Sequence, residues 1–350
     1  MEVRRLGRLF AMKTDDDVQD VRAVALAPRL DAFQRRRRWA AFPLAVIYKF
    51  VDDQGTYLAA LITYYAFVSL FPLLLLLVTA LGFALRDNPE LQERVLHSAL
   101  RQFPVIGDQI GTNIHSLRGN GWGIAVGLVG SLYGALGVAQ AARNALDKIW
   151  AVPRHRRPNP IRARLYSLLL ISALAVGVAL STVLTGTATG NGPDVGVVSG
   201  IVPSVAAAVA STALNAVMIL TAYRLLTDRS VALRPLAHAA IVAACVWQGL
   251  LWAAAYYVDH LLRGSTATYG LFAIVLGLIT WIYLGALVFV WAAEAVSVRV
   301  NRLWPRSLLA PFTDHARLSA ADRRAYESYA VTETYKSFER VDVAFEDPAE

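Results

Sequence analysis

Cysteine, charge and catalytic signatures are what this sequence has least of. One of its 350 residues is cysteine, Cys245. A single thiol cannot close an intrachain disulfide or assemble a thiolate metal site. In its apolar run, AIVAACVWQGL, it is expected to be a small buried hydrophobe. Charged residues make up 17% of the chain, against roughly 25% in soluble domains. No HExxH, GxSxG, GxGxxG or P-loop occurs. The six histidines, at 97, 115, 155, 238, 260 and 315, lack zinc-ligand spacing. These scarcities exclude an ordinary soluble enzyme and a disulfide scaffold. They leave no catalytic residues, no metal and no cofactor to expect.

What the chain has is apolar surface. Hydrophobic residues make up 56% of it, and mean hydropathy is +0.44. That exceeds what one water-soluble core can bury, and lipid is the natural solvent for the excess. Six runs are long enough to cross a bilayer at about 1.5 Å per residue: Tyr57–Leu85, Gly121–Ala142, Leu165–Thr187, Gly196–Tyr223, Pro235–Val258 and Tyr269–Val298. The first four carry no Asp, Glu, Lys, Arg or His. The fifth carries only His238, near its start, and the sixth only Glu294, near its end. The expected fold is an all-α polytopic membrane protein with six transmembrane helices.

The basic charge follows the same plan. The net charge is +8. Six crossings put both termini on one side, together with 143–164 and 224–234. Those segments hold 29 of the 34 Lys and Arg residues, and the opposite side holds 5. The positive-inside rule makes that side cytoplasmic. Anionic lipid headgroups, rather than nucleic acid, account for the excess.

Three regions follow. Residues 1–38 form a polar cytoplasmic segment with no secretory signal, ending in the run Arg35–Arg38. Residues 39–304 form the membrane domain, opening with WAAFPLAVIYKFV, which is too short to span and suits an interfacial helix. Residues 305–350 form a cytoplasmic tail, expected to be largely disordered, with room for a short helix. The loop 86–120 holds an Asn88-Pro89-Glu90 helix start and apolar residues at intervals of three or four. It is expected to form an amphipathic helical hairpin on the outer face.

A few polar residues in the spans are candidates for a substrate path. Pro72 interrupts the first span, with Tyr64, Tyr65 and Ser69 just before it. Proline removes one helix hydrogen bond, and a kinked helix can either pack or line a cavity. Gln140, Asn144 and Asp147 run along one stripe at the end of the second span. They mark either a helix leaving the membrane or the polar wall of a mouth. Glu294 is either an interfacial carboxylate or part of a path. Tyr269 opens the sixth span. Arg143, Lys148, Arg154, Arg156 and Arg157 are candidates to meet lipid headgroups. Gly123, Gly127, Gly130, Gly134 and Gly137 allow a close helix approach, expected within the chain rather than between copies.

Taken in order, these features resemble the YihY/BrkB family of bacterial inner-membrane proteins across roughly residues 40–302. The marks are an acidic-Gly entry and the run from Ala60 through Tyr64-Tyr65 and Ser69 to Pro72. Then come Phe103-Pro104 with Gly107, Asn144 to Trp150, Tyr269-Gly270, and Trp281 with Tyr283. The family closes its last span with GAE; here Ala292-Ala293-Glu294 keeps the acid and changes the glycine. The resemblance implies a six-span protein of the inner membrane. A ribonuclease label has followed the family, but no nucleophile, base or metal cluster here supports it. The favoured expectation is a transporter or lipid translocator. The alternative is an envelope scaffold that binds a protein partner or a second copy of itself.

Overall fold

The computed structural model describes residues 31–84, 121–188, 201–227, 231–261, 270–311 and 317–346. Every regular element among them is helical. A short helical stretch, 31–36, precedes α1 (Arg38–Asp52). Six long helices follow: α2 (Gly55–Ala84), α3 (Gly121–Ile149), α4 (Pro160–Ala188), α5 (Ile201–Leu226), α6 (Leu233–Leu261) and α7 (Gly270–Val300). A last helix, α8, covers Ala320–Thr332.

Each long helix matches one of the expected apolar runs. The runs contain few groups that compete for backbone hydrogen bonds, so a helix satisfies them throughout. The ends are set by local chemistry. Gln54, at φ 58°, turns the chain between α1 and α2. Gly55 follows because any Cβ there would collide with the Phe50 ring. At the end of α3, Ala151 takes φ 50° and the Val152 amide donates to the Asp147 carbonyl. Asn159 then accepts from the Arg162 amide ahead of Pro160 at the first turn of α4, a side-chain cap followed by the residue that needs no amide partner there. Helix α2 runs unbroken through Pro72.

The six long helices pack in chain order, and α7 closes the ring by packing on α2. The main core gathers at one end. It comprises the end of α3 (Ala142, Ala145, Leu146, Ile149), the end of α5 (Tyr223, Leu226), the start of α6 (Leu236, Ala239, Ala240) and the end of α7 (Val290, Ala293). Its many alanines let the helix backbones approach closely. Two hydrogen bonds tie this end together: Tyr223 donates to the Phe289 carbonyl at 2.7 Å and Ser297 to the Ile149 carbonyl at 2.9 Å.

A smaller cluster lies beside it. Ala45 and Val46 of α1, Val298, Leu303 and Ala325 of α8 form its centre. The short helix allowed for in the tail is α8, and it is part of the packed structure. Its start is a full capping box, with Ser319 accepting from the Asp322 amide and Asp322 accepting from the Ser319 amide. Cys245 departs from expectation. It is exposed on α6, because the apolar run around it presents an outward face as well as a buried one. The expected outer hairpin at 86–120 lies outside the described residues.

Candidate functional site

The most unusual chemistry sits where α1, the α1–α2 turn and α7 meet. Lys49 lies one helical turn before Asp53, and the two form a buried ion pair. The ammonium also faces Glu294, with Nζ 3.6 Å from Oε2. Glu294 is 0% exposed, and neither of its carboxylate oxygens has a hydrogen-bond partner. The separation from Lys49 is beyond hydrogen-bond range. One cation thus stands between two buried carboxylates. Burial alone would lower the Lys49 ammonium's pKa, but Glu294 and Asp53 outweigh it and hold the group above its ordinary value. The stacked Phe50 and Trp291 rings lie nearby, 4.4 Å apart.

A second ion cluster joins this centre to the C-terminal segment. Tyr329 lays its ring over Lys49 and donates its hydroxyl to Asp52 at 3.1 Å. Asp52 also receives Arg306 Nη1 at 2.7 Å. Arg306 Nε donates to Asp322 at 2.8 Å, and the same carboxylate accepts from the Ser307 and Ser319 amides, each at 2.9 Å. Burial works to lower the Arg306 pKa, but these carboxylates reverse that and keep the guanidinium charged beyond its ordinary range. Burial, reinforced by Asp52 and Asp53, pushes the Tyr329 hydroxyl up. The N-terminal side joins in as well. Gln34 donates to the Arg306 carbonyl at 2.6 Å, and Asp31 accepts from the Leu308 amide at 2.8 Å.

The other path candidates have different surroundings. Tyr65, Ser69 and Pro72 lie along the α2–α3 seam. A Cβ at Gly137 would collide with the Tyr65 ring and one at Gly134 with Ser69, while one at Gly130 would sit 2.8 Å from Pro72 Cβ. The glycines therefore serve packing within the chain. Ser69 hydrogen-bonds to the Ala66 carbonyl, and Tyr64 is exposed with its ring edge on Tyr65. Gln140 and Asn144 are exposed and bonded to each other at 3.0 Å. Asp147, on the same stripe, is buried, with Arg157 Nε 3.9 Å away. The stripe splits because the loop after α3 folds back over its last turn. Tyr269 lies outside the described residues.

The headgroup candidates divide too. Arg143 is buried, which removes it from a headgroup role: it donates to the Leu225 carbonyl at 2.9 Å, at the end of α5, and faces the Tyr166 ring. A cation there satisfies a carbonyl that the helix leaves unpaired. Arg154 and Arg156 are exposed, and Lys148 and Arg157 are half-buried. Arg154 pairs with Glu333 at 2.8 Å. That hydrogen bond holds the Glu333 carboxyl below its usual range.

Of the central groups, sequence reasoning singled out Glu294 alone. Lys49, Asp53, Asp52, Arg306, Asp322 and Tyr329 were missed. A signal for the first two was present, since a lysine inside WAAFPLAVIYKFVDD stands four residues before an aspartate.

Among the described residues, three helices are long and apolar enough to cross a membrane, over Ala208–Leu226, Leu233–Ala254 and Val275–Val300. An all-helical fold with such helices defines a membrane-type protein. The chain belongs to the virulence factor BrkB family, whose model matches residues 46–311. That range runs from within α1 past α7, through both ion clusters up to Arg306. No curated protein and no solved structure matches the chain.

Proposed function

We propose that this protein is a transporter of the cytoplasmic (inner) membrane that moves a lipid or similar amphiphile, with all six long helices spanning and both termini cytoplasmic. The observation that carries this reading is the Glu294–Lys49–Asp53 centre. Fully buried ions cost several kcal/mol each before pairing, and ionisable groups within membrane helices characteristically serve a path or relay. Here one carboxylate has no hydrogen bond at all. An amphiphilic substrate suits the surface at the start of α4. Exposed Arg154, Arg156, Arg162 and Arg164 pass directly into exposed Leu165, Leu168 and Leu169, a charged rim on an apolar wall. The role is non-enzymatic, needs no cofactor and involves no nucleic acid; membrane lipids are the partners.

The test uses purified protein in liposomes with a fluorescent phospholipid in the outer leaflet. Movement to the inner leaflet protects the probe from an impermeant quencher. Wild type is expected to move it, and Glu294→Gln to slow this by about tenfold or more, equivalent to ~1.4 kcal/mol in barrier. A correctly folded Glu294→Gln protein that moves lipid at the wild-type rate removes Glu294 from the mechanism. No movement by wild type counts against the lipid substrate.

One observation favours a second reading, a scaffold that binds an envelope protein or a second copy of itself. Tyr65, Ser69 and Pro72 are engaged in helix packing, and Tyr335 and Phe338 stand exposed just beyond α8. On that reading truncation after Thr332 abolishes function while Glu294→Gln does not.

A further inference from the structure

The buried centre has one negative charge too many and too few hydrogen-bond donors. Lys49 supplies the only cation between Asp53 and Glu294. Its ammonium is bonded to Asp53 and only ion-paired to Glu294, which leaves both Glu294 oxygens enclosed and without a hydrogen bond. A buried carboxylate without donors is strongly unfavourable. The arrangement lacks one positive charge that can sit on a carboxylate oxygen.

The groups facing Glu294 define what can occupy that place. From α1 and its turn come Lys49 and Asp53. From the C-terminal segment comes Tyr329, whose ring covers Lys49; behind it Asp52 is bonded to Arg306. Helix α3 ends beside α7, but its charged groups are turned elsewhere: Arg143 donates to the Leu225 carbonyl, Asp147 lies beside Arg157, and Lys148 is half-buried and acts on Glu333. Helix α2 contains no Asp, Glu, Lys, Arg or His. On α6, Arg234 and His238 are both exposed, and on α7 so is the next charged residue, Arg299. Hard cations such as calcium and magnesium collect six or more oxygen ligands. The described residues contain no group of three or more His, Cys, Asp or Glu suited to a metal, and an ammonium 3.6 Å away repels one. A proton needs only one oxygen, and Asp53, which shares the Lys49 ammonium with Glu294, is the acceptor at hand for the hydrogen bond it creates.

We propose that Glu294 and Asp53 form an exchangeable proton-binding site, with Lys49 as its fixed counter-charge. The proton binds a Glu294 oxygen as an O–H and is shared toward Asp53. It leaves to water at the end of the bundle where Lys49 and Asp53 sit, and no other bond changes. Opening of the Tyr329 cover over Lys49 is the natural route. As an energy-coupling device the site rests on the transport reading; as a binding site it does not.

The experiment is an infrared pH titration of the full-length protein in sodium-free liposomes, repeated with added sodium chloride. The expected result is a protonated-carboxyl band that titrates in wild type, is absent in Glu294→Gln and ignores sodium. No titrating carboxyl band in wild type, a band unchanged in Glu294→Gln, or a band abolished by sodium overturns the proposal. Should Glu294→Gln not fold, Asp53→Asn serves instead: its loss of the sharing partner must shift the band, and an unshifted band overturns the proposal. Spectra need no flux. A titrating Glu294 in a protein that moves no lipid therefore sinks only the transport reading. Lipid movement without a titrating Glu294 sinks only this one.

Discussion

Lys49 carries more of the buried centre than any other single residue. It is the shared cation for Asp53 and Glu294 and the platform under Tyr329. Removing one partner from a buried ion cluster leaves uncompensated charge, which costs about 3–5 kcal/mol. Lys49→Met is accordingly expected to lower the thermal unfolding midpoint in detergent sharply, followed by tryptophan fluorescence. Adding Glu294→Gln to Lys49→Met should recover part of the loss, because one of the stranded carboxylates is gone; contacting residues couple in this way. An unchanged midpoint in Lys49→Met would show that the cluster contributes nothing to the fold. At this scale the sequence was half legible. Glu294 stood out as the only acid in an apolar run. Lys49 did not, since an interfacial helix ordinarily has lysines that reach water. Nothing local shows that α7 covers this one. The glycines of α3 were legible as a packing surface, but that Tyr65, Ser69 and Pro72 would be the residues filling it depends on the pairing of two helices.

At the scale of elements the long helices were readable because apolar runs of this length have few alternatives. Helix α8 was not. Its sequence, AADRRAYESYAVT, is polar, and a polar stretch gives little sign of docking. What orders it is long-range: Arg306 holds Asp322 and also reaches Asp52, 254 positions before it in the chain. Arg306→Ala should therefore undock α8 while leaving the bundle assembled. Trypsin cleavage at Arg323 and Arg324 is expected to accelerate by about tenfold or more, as loss of a buried ion partner implies. Arg306→Lys should not restore protection, because a single ammonium cannot reproduce the two-carboxylate fork of a guanidinium. Equal cleavage rates in wild type and Arg306→Ala would mean that α8 is held by its apolar contacts alone. The tie between Arg154 and Glu333 adds little, both groups being exposed. Its sign is fixed by the lowered Glu333 pKa: the contribution is fully present above the ordinary carboxylate range and is lost as pH falls through that lowered value.

At the scale of the whole molecule, the packing of the two chain ends bears on how many helices cross. The stretch 31–36 and the segment after Trp304 both lie against α1: Gln34 and Asp31 bond to residues 306 and 308, and Tyr48 to the Leu308 carbonyl. Segments that touch lie on one side of a membrane, so the proposed reading requires an even number of crossings between them. Three spans, the number of helices that reach full spanning hydropathy among the described residues, would part them. Six would not. The loop after α3 is at the same end, with the His155 amide donating to the Thr334 carbonyl, as is the end of α5 through Arg143. On the proposed six-span reading, the positive-inside rule makes this end the cytoplasmic one. The lone cysteine makes the test direct. In a Cys245→Ala background, single cysteines are placed at Arg156, Phe338 and Ser116, and intact cells permeable only at the outer membrane are treated with an impermeant maleimide. Ser116→Cys is expected to label from outside, while Arg156→Cys and Phe338→Cys label only after the inner membrane is opened. Labelling of Phe338→Cys from outside, with Arg156→Cys protected, would require an odd number of crossings. It would then require that the contacts between the segment after Trp304 and α1 do not exist in the membrane.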